Sequence, residues 1–570
     1  PLTRLATPAY RQAGSPPSPL GAGWGVREWE IEMTGFRISL LLTAALGASL
    51  ALCGAQPPAM TRSPLRREGN VWAEDIHVSL PASEGGHLLL RADEGSVDIR
   101  PGPPGRLECW VRLAAYSQGA GQAKSCLDHY QLKTLPVPGG VMLTGHSLCR
   151  TPGSMGARFE VEVPLKFNVN IQTQGGNVEV EKLAGQLRAE TTGGNITTGD
   201  VSGPVWVSTR AGAISLGNMG QGVEARTTGG SIHVGDVNGR AILETGGGPI
   251  VAGVVNGAVS AQTGAGDIIL QAASGPVRAE TAGGEIHLGE CGGTVQAETA
   301  AGNIQVAGAR GGVSVQSAGG SINLLQVMSS VIAQTSAGHI LAEIDATKKT
   351  FGPSQLDAQL GDVDVFLPPR LPVDIHAAIA NAFGRRIVSD FPVNIQEAGA
   401  GFMPGPVTAD GKLMGGGDSL NIRTGMGNIV IRRLDPTAAA RMKDFQKTFW
   451  IQWRQSQEAQ AEGMRRIQEL QLDLARQRSA LEGQLDNLNR RLAAPLVQED
   501  RVENLQRIHA IQQAIQKQRA QEQSQRTEAM EQLQQQLEQQ SAALQKQLQE
   551  MERHLMQRAR EAVQYVGEQQ

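Results

Sequence analysis

Val277-Arg278-Ala279-Glu280-Thr281-Ala282-Gly283-Gly284-Glu285-Ile286-His287-Leu288 is answered eighteen residues later by Val295-Gln296-Ala297-Glu298-Thr299-Ala300-Ala301-Gly302-Asn303-Ile304-Gln305-Val306. The glycine in this pattern recurs without a slip in both directions, at Gly176, Gly194, Gly212, Gly230, Gly248, Gly266, Gly284, Gly302, Gly320 and Gly338. An aliphatic residue stands two places after each one, from Val178 and Ile196 to Ile322 and Ile340. A second glycine closes a turn at Gly185, Gly203, Gly239, Gly257, Gly275, Gly293 and Gly311. Fixed-period self-similarity of this kind marks stacked repeat units. The alternation in Val-x-Ala-x-Thr puts one side-chain set inward and the other outward. The inward set is small and β-branched, which suits a narrow interior. The expected fold is all-β: a single-stranded β-solenoid, or β-helix, of 18-residue coils over residues 174–345. Glycine is expected to supply positive-φ corners. Coils ~4.8 Å apart give ten of them a height of ~48 Å. A leucine-rich repeat lacks its leucine and asparagine pattern here. Calcium-binding nonapeptides need Asp at every turn, and Asp200, Asp236 and Asp267 are isolated instances.

The flanks keep β character but lose the period. Residues 86–173 carry His87-Leu88-Leu89-Leu90, Leu107-Glu108-Cys109-Trp110-Val111 and Phe159-Glu160-Val161-Glu162-Val163, and predict an N-terminal β cap. Residues 346–435 predict a C-terminal β cap. It holds Gly361-Asp362-Val363-Asp364-Val365-Phe366-Leu367-Pro368, an edge hairpin at Ser389-Asp390-Phe391-Pro392-Val393, and a closing strand around Asn428-Ile429-Val430-Ile431.

With the Thr-x-Gly-Gly-x-Ile repeats, these segments make residues 86–434 resemble the bacterial putative-adhesin domain family of glycine-rich β-strand repeats. The resemblance implies an exported β-solenoid and brings no catalytic residues to transfer.

Composition inverts after Asp435-Pro436. Glycine nearly vanishes, glutamine rises, and residues 436–570 predict a long α-helical, coiled-coil-like tail with a break near Pro495. Leu474, Leu481 and Leu488 are spaced by seven, as are Met530, Leu537, Leu544 and Met551. Such heptads predict an antiparallel hairpin or self-association through the tail. Phe445, Phe449, Trp450 and Trp453 would line one helix face, docked on the solenoid cap or turned to a partner or membrane surface. At the other end, residues 1–32 read as an over-extended, disordered N-terminus and 33–55 as a signal peptide, with 56–85 as a linker. Cys53 is open to two readings: the acylated cysteine of a lipobox, anchoring the protein to the outer membrane, or part of an ordinary cleavage site. Either places the mature chain in the periplasm or at the cell surface, where a disulfide among Cys109, Cys126 and Cys149 can form. Cys291 falls at an inward repeat position.

Formal net charge of −4 gives no reason to expect nucleic acid. His233 and His287 share a repeat slot but lie three coils, ~14 Å, apart, too far to meet on one metal. With His339 they are expected to be exposed, and His77, His87, His129 and His146 lack ligand spacing. Glu190, Glu224, Glu244, Glu280 and Glu298 are interspersed with Arg188, Arg226 and Arg278, as on a solvated ladder. No catalytic, cofactor or metal site is expected. The favoured function is an exported structural or adhesin-like envelope protein that presents a rigid binding surface to a surface ligand or envelope component. The alternatives are a polymer-forming scaffold and, less favoured, a carbohydrate-active β-helix enzyme.

Overall fold

The computed structural model describes residues 59–68, 71–117, 119–149, 155–346, 351–397, 405–435, 506–511, 513–514, 517 and 535. The segment expected to be a signal peptide, with Cys53, and nearly all of the heptad-bearing tail lie outside the described residues; 506–511 is helical.

Each 18-residue coil contributes one strand to each of two sheets. Val277–Thr281 lies in what we call the threonine sheet and Ile286–Cys291 in the isoleucine sheet. The next coil repeats both in parallel register, Val277 opposite Val295 and Ile286 opposite Ile304. In the threonine sheet the +18 register runs unbroken from Asn168–Thr173 to Val331–Ala337. In the isoleucine sheet it slips once, between Leu324 and Val327, where Gln326 takes a positive φ of 49°. The result is a mostly β, solenoid-like stack of parallel strands.

Three contacts explain the consensus. The Val178–Ile340 aliphatic column points inward and is no more than 1% exposed, each side chain stabilising the stack by about 1.5–3 kcal/mol. The threonine ending each strand of the other sheet donates its Oγ1 to the carbonyl of the slot glycine fifteen residues back. This bond spans 2.7–3.1 Å from Thr191 through Thr335, with Ser317 serving in one coil. The glycine three residues after the threonine returns a backbone N–H to that hydroxyl, as Gly212 does to Thr209 at 3.3 Å. Finally, asparagine and aspartate at the outer corners accept the N–H of the coil above. Asp200, Asn218 and Asp236 form such a ladder to Asn218, Asp236 and Val254. The isolated aspartates thus serve the backbone.

The expected positive-φ corners are corrected. Of the ten slot glycines only Gly176 has a left-handed φ, +116°. The others are required because a Cβ on Gly212, Gly302 or Gly338 would overlap the carbonyl of the slot glycine in the preceding coil. Close stacking, rather than chain reversal, excludes a side chain.

The residues expected to be a linker, 56–85, include Ala59–Arg62, Arg66–Glu68 and Val71–Pro81, three strands of the N-terminal cap. Val71–Pro81 pairs antiparallel with Arg106–Ala115 because its alternation buries Ala73, Ile76 and Val78. Its Glu74, 1% exposed, is ion-paired to Arg62 at 2.6 Å and Lys124 at 3.4 Å. Lys124 belongs to the helix Ala120–Asp128, which the Cys126–Cys149 disulfide ties to the end of Gly140–Ser147. His87–Ala92 and Ser96–Gly102 then seed the threonine and isoleucine sheets respectively.

At the other end an insertion lengthens one coil to a 23-residue step, Ile340 opposite Val363. The stack then leaves chain order. Asp418–Met426 and Ile429–Arg433 form a coil on Ser354–Leu360 and Val363–Leu367, while Val373–Ile379 and Ile387–Ser389 lie beyond it. Val407–Leu413 pairs antiparallel with Val373–Ile379, ending the parallel ladder and its exposed edge.

Candidate interaction surface

Alternate residues of the threonine sheet form two outward columns. One runs Arg188, Trp206, Glu224, Ile242, Ser260, Arg278; the other Glu190, Ser208, Arg226, Glu244, Gln262, Glu280. Arg188 pairs with Glu190 at 2.6 Å, and Arg226 with both Glu224 at 3.0 Å and Glu244 at 3.4 Å. Arg278 pairs with Glu280 and donates to Gln296 at 3.2 Å, one coil on. Exposed pairs like these add little stability. Their effect is to fix a flat, mixed-charge lattice with a coil-height repeat. Trp206 stands between Arg188 and Glu224, 41% exposed, and Ile332 further along is 44% exposed. This face is open.

The outer face of the isoleucine sheet differs. Thr197 and Ser215 are exposed in its early coils, but Val251, Leu341, Asp364 and Val430 occupy the same column and are all buried. His233 sits in this column, half-buried, and desolvation lowers its pKa. His287 is also half-buried, bonded to Glu285 at 3.0 Å and Gln305 at 3.3 Å, and that first bond holds the Glu285 carboxyl below its usual range. Only His339 of the three is exposed as expected; His233 and His287 stand in an outward column that is half-buried or buried from His233 onward.

The other candidates do not converge. His77 stacks on Trp110 at 5.1 Å and bonds Glu108 at 2.9 Å, while His146 meets Asp93. Among the described residues no group of three His, Cys, Asp or Glu is arranged to hold a metal ion. The Cys109 and Cys291 thiols are buried and pushed up to about 12 by desolvation, which makes them poor nucleophiles. Between the sheets lies an apolar void of about 10 Å³, lined by residues including Leu243, Ala261, Leu270 and Ala279, which is at the lower limit for one water and offers it no polar partner. The titratable group that sequence reasoning missed is Asp364. Burial, with the neighbouring Asp362 charge, pushes its pKa up to about 7 against the opposing pull of Arg432. Its signal was an acidic residue at an outward position of Val363-Asp364-Val365-Phe366-Leu367, a strand buried on both faces.

No known family model matches the chain, and no curated protein matches it. Among solved structures it is similar to one described as a putative cell adhesion protein from Clostridium sporogenes ATCC 15579. That likeness has 8% identity and a TM-score of 0.13, and covers 63% of this chain and 99% of the other.

Proposed function

We propose that this chain is an exported structural or adhesin-like protein of the cell envelope, which holds its ligand on the open face of the threonine sheet without turning it over. The observation that carries this reading is the contrast between the two sheets: the outward column of one is half-buried or buried from His233 onward, while the other presents Arg188, Trp206, Arg226 and Arg278 to solvent with half-buried glutamates between them. A surface that repeats at every coil suits an extended polymer carrying regularly spaced hydrogen-bonding groups. Exposed aromatics and arginines are the residue types that dominate binding at such faces. Export is supported by the leader sequence at residues 33–55 and by the Cys126–Cys149 disulfide, a bond that persists in oxidising compartments. Self-association through the heptads of the distal tail belongs to the same reading.

The test incubates the purified protein with cell-wall glycans and scores retention and released products together. Retention without product, with Trp206→Ala lowering affinity at least ~tenfold, supports the reading. Released oligosaccharide, or binding indifferent to Trp206→Ala and Arg226→Ala, contradicts it.

A further inference from the structure

Between successive coils a corner of three residues joins the isoleucine sheet to the threonine sheet, as Gly292-Gly293-Thr294 joins Ile286–Cys291 to Val295–Thr299. At the C-terminal end residues 368–417 stand in place of that corner, between Val363–Leu367 and Asp418–Met426. The coil that follows the insertion is otherwise regular. Thr424 donates its Oγ1 to the Gly361 carbonyl at 2.9 Å, and Gly427 stands too close to that carbonyl to admit a Cβ. Asp362 accepts the Asn428 N–H at 2.7 Å, as the corner residues of other coils do. The inserted lobe folds over the free edge of this coil, Val373–Ile379 on Asp418–Met426 and Ile387–Ser389 on Ile429–Arg433. This layer is not another coil. Ile379 lies opposite Thr424, where the next threonine would stand, and Arg385 occupies the glycine slot two places before Ile387. Phe383, between them, takes a φ of 26° and is 70% exposed.

We propose that the edge of this last coil is a self-association surface for a second copy of the chain, and that the inserted lobe occludes it. Without the lobe, the backbone N–H and C=O groups along the outer side of both strands would lack partners, and another strand edge satisfies them best. The edge is also self-complementary. A two-fold axis through Ile422 and Ile431, the buried middle residues of the two strands, pairs each strand antiparallel with its own copy at once. Leu420 then faces Thr424 and the inward set stays inward. Asn421 of one copy faces Arg423 of the other, and Val430 faces Arg432, so no two like charges are directly opposed. The N-terminal end offers no such coil edge. There His87–Ala92 is followed by Gly140–Ser147 with Tyr130–Val137 antiparallel on it, and Ser96–Gly102 by Met155–Pro164 with Arg106–Ala115 antiparallel on it. Association therefore closes at two copies, joined by their C-terminal coils.

The experiment replaces residues 368–417 of the otherwise full-length chain by Gly-Gly-Thr, the corner at 292–294, and adds Asn421→Cys and Arg423→Cys to report contact between copies. Copies linked on oxidation are expected at least ~tenfold above the level in the same double-cysteine chain with its lobe in place. Hydrogen exchange in Val259–Thr263 should stay as slow as in the parent, because the insertion lies outside that coil. Equal linking with and without the lobe overturns the proposal. So does growth into filaments seen by electron microscopy, since a filament needs a second open edge. If the shortened chain loses its exchange protection, the full-length Ile375→Asp variant, which puts a charge on the buried inner side of the lobe, takes its place. Linking in that variant no higher than in the parent overturns the proposal.

Discussion

Every slot glycine faces a glycine carbonyl of the layer before it, Gly176 that of Gly95, so its replacement forces two layers apart. Gly302→Ala should lower stability by about 1–3 kcal/mol, the usual cost of overpacking, read as a shift of the urea midpoint. Gly193→Ala, whose new methyl meets nothing within 4 Å, should stay within about 0.5 kcal/mol of the parent. The threonine partner obeys the same logic. Thr263→Val removes the bond to the Gly248 carbonyl and the acceptor for Gly266 N–H, at a cost of about 1–2 kcal/mol. Thr263→Ser should cost less, since Ser317 already fills that role in its own coil. Asp364 behaves differently because its folded pKa of about 7 stands above the ordinary 3.8. Its neutral form suits the fold, so its stabilising contribution is complete below pH 3.8 and falls as pH rises toward 7. Compared with Asp364→Asn, the parent should lose about 4 kcal/mol across that window and then level off, as followed by denaturation at several pH values. The glycine and threonine slots were legible from the sequence. The reason for the glycine was not, because a period shows where a side chain is excluded and not which atom excludes it.

At the scale of elements, the alternation of Val-x-Ala-x-Thr and the inward isoleucines mapped directly onto the two sheets, as period-two patterns do when one face is buried. The cap was harder. Val71–Pro81 went unrecognised beside a polar stretch because its pairing partner, Arg106–Ala115, lies far along the chain and supplies the buried surface. The cap is also stapled: Cys126–Cys149 closes a loop of 23 residues that runs from the end of the helix Ala120–Asp128 through the strands Tyr130–Val137 and Gly140–Ser147. Replacing both cysteines with serine should destabilise the cap by about 3 kcal/mol, measured by chemical denaturation with and without reductant, while the coils from Leu187–Thr191 onward keep their hydrogen-exchange protection. Three cysteines in one segment announced a disulfide, but only the meeting of Cys126 and Cys149 at 5.3 Å between Cα atoms, with Cys109 sealed in the core, fixed which pair.

At the scale of the whole molecule, each coil is held by the coils next to it, so stability should vary locally along the stack. Thr263→Val is expected to weaken exchange protection most in the strands flanking Val259–Thr263 and least in the two caps, as hydrogen exchange resolved by peptide would show. The sequence by itself determined the repeat, its length, the inward set and the mostly β class. All of these are consequences of one backbone period matched to one side-chain period, and both are written locally. Tertiary structure alone decided which outer face stays open, that Asp364 lies in a dry environment, and that the last coil is built out of chain order. These depend on what packs against each surface, and segments distant in sequence meet only after the stack has formed.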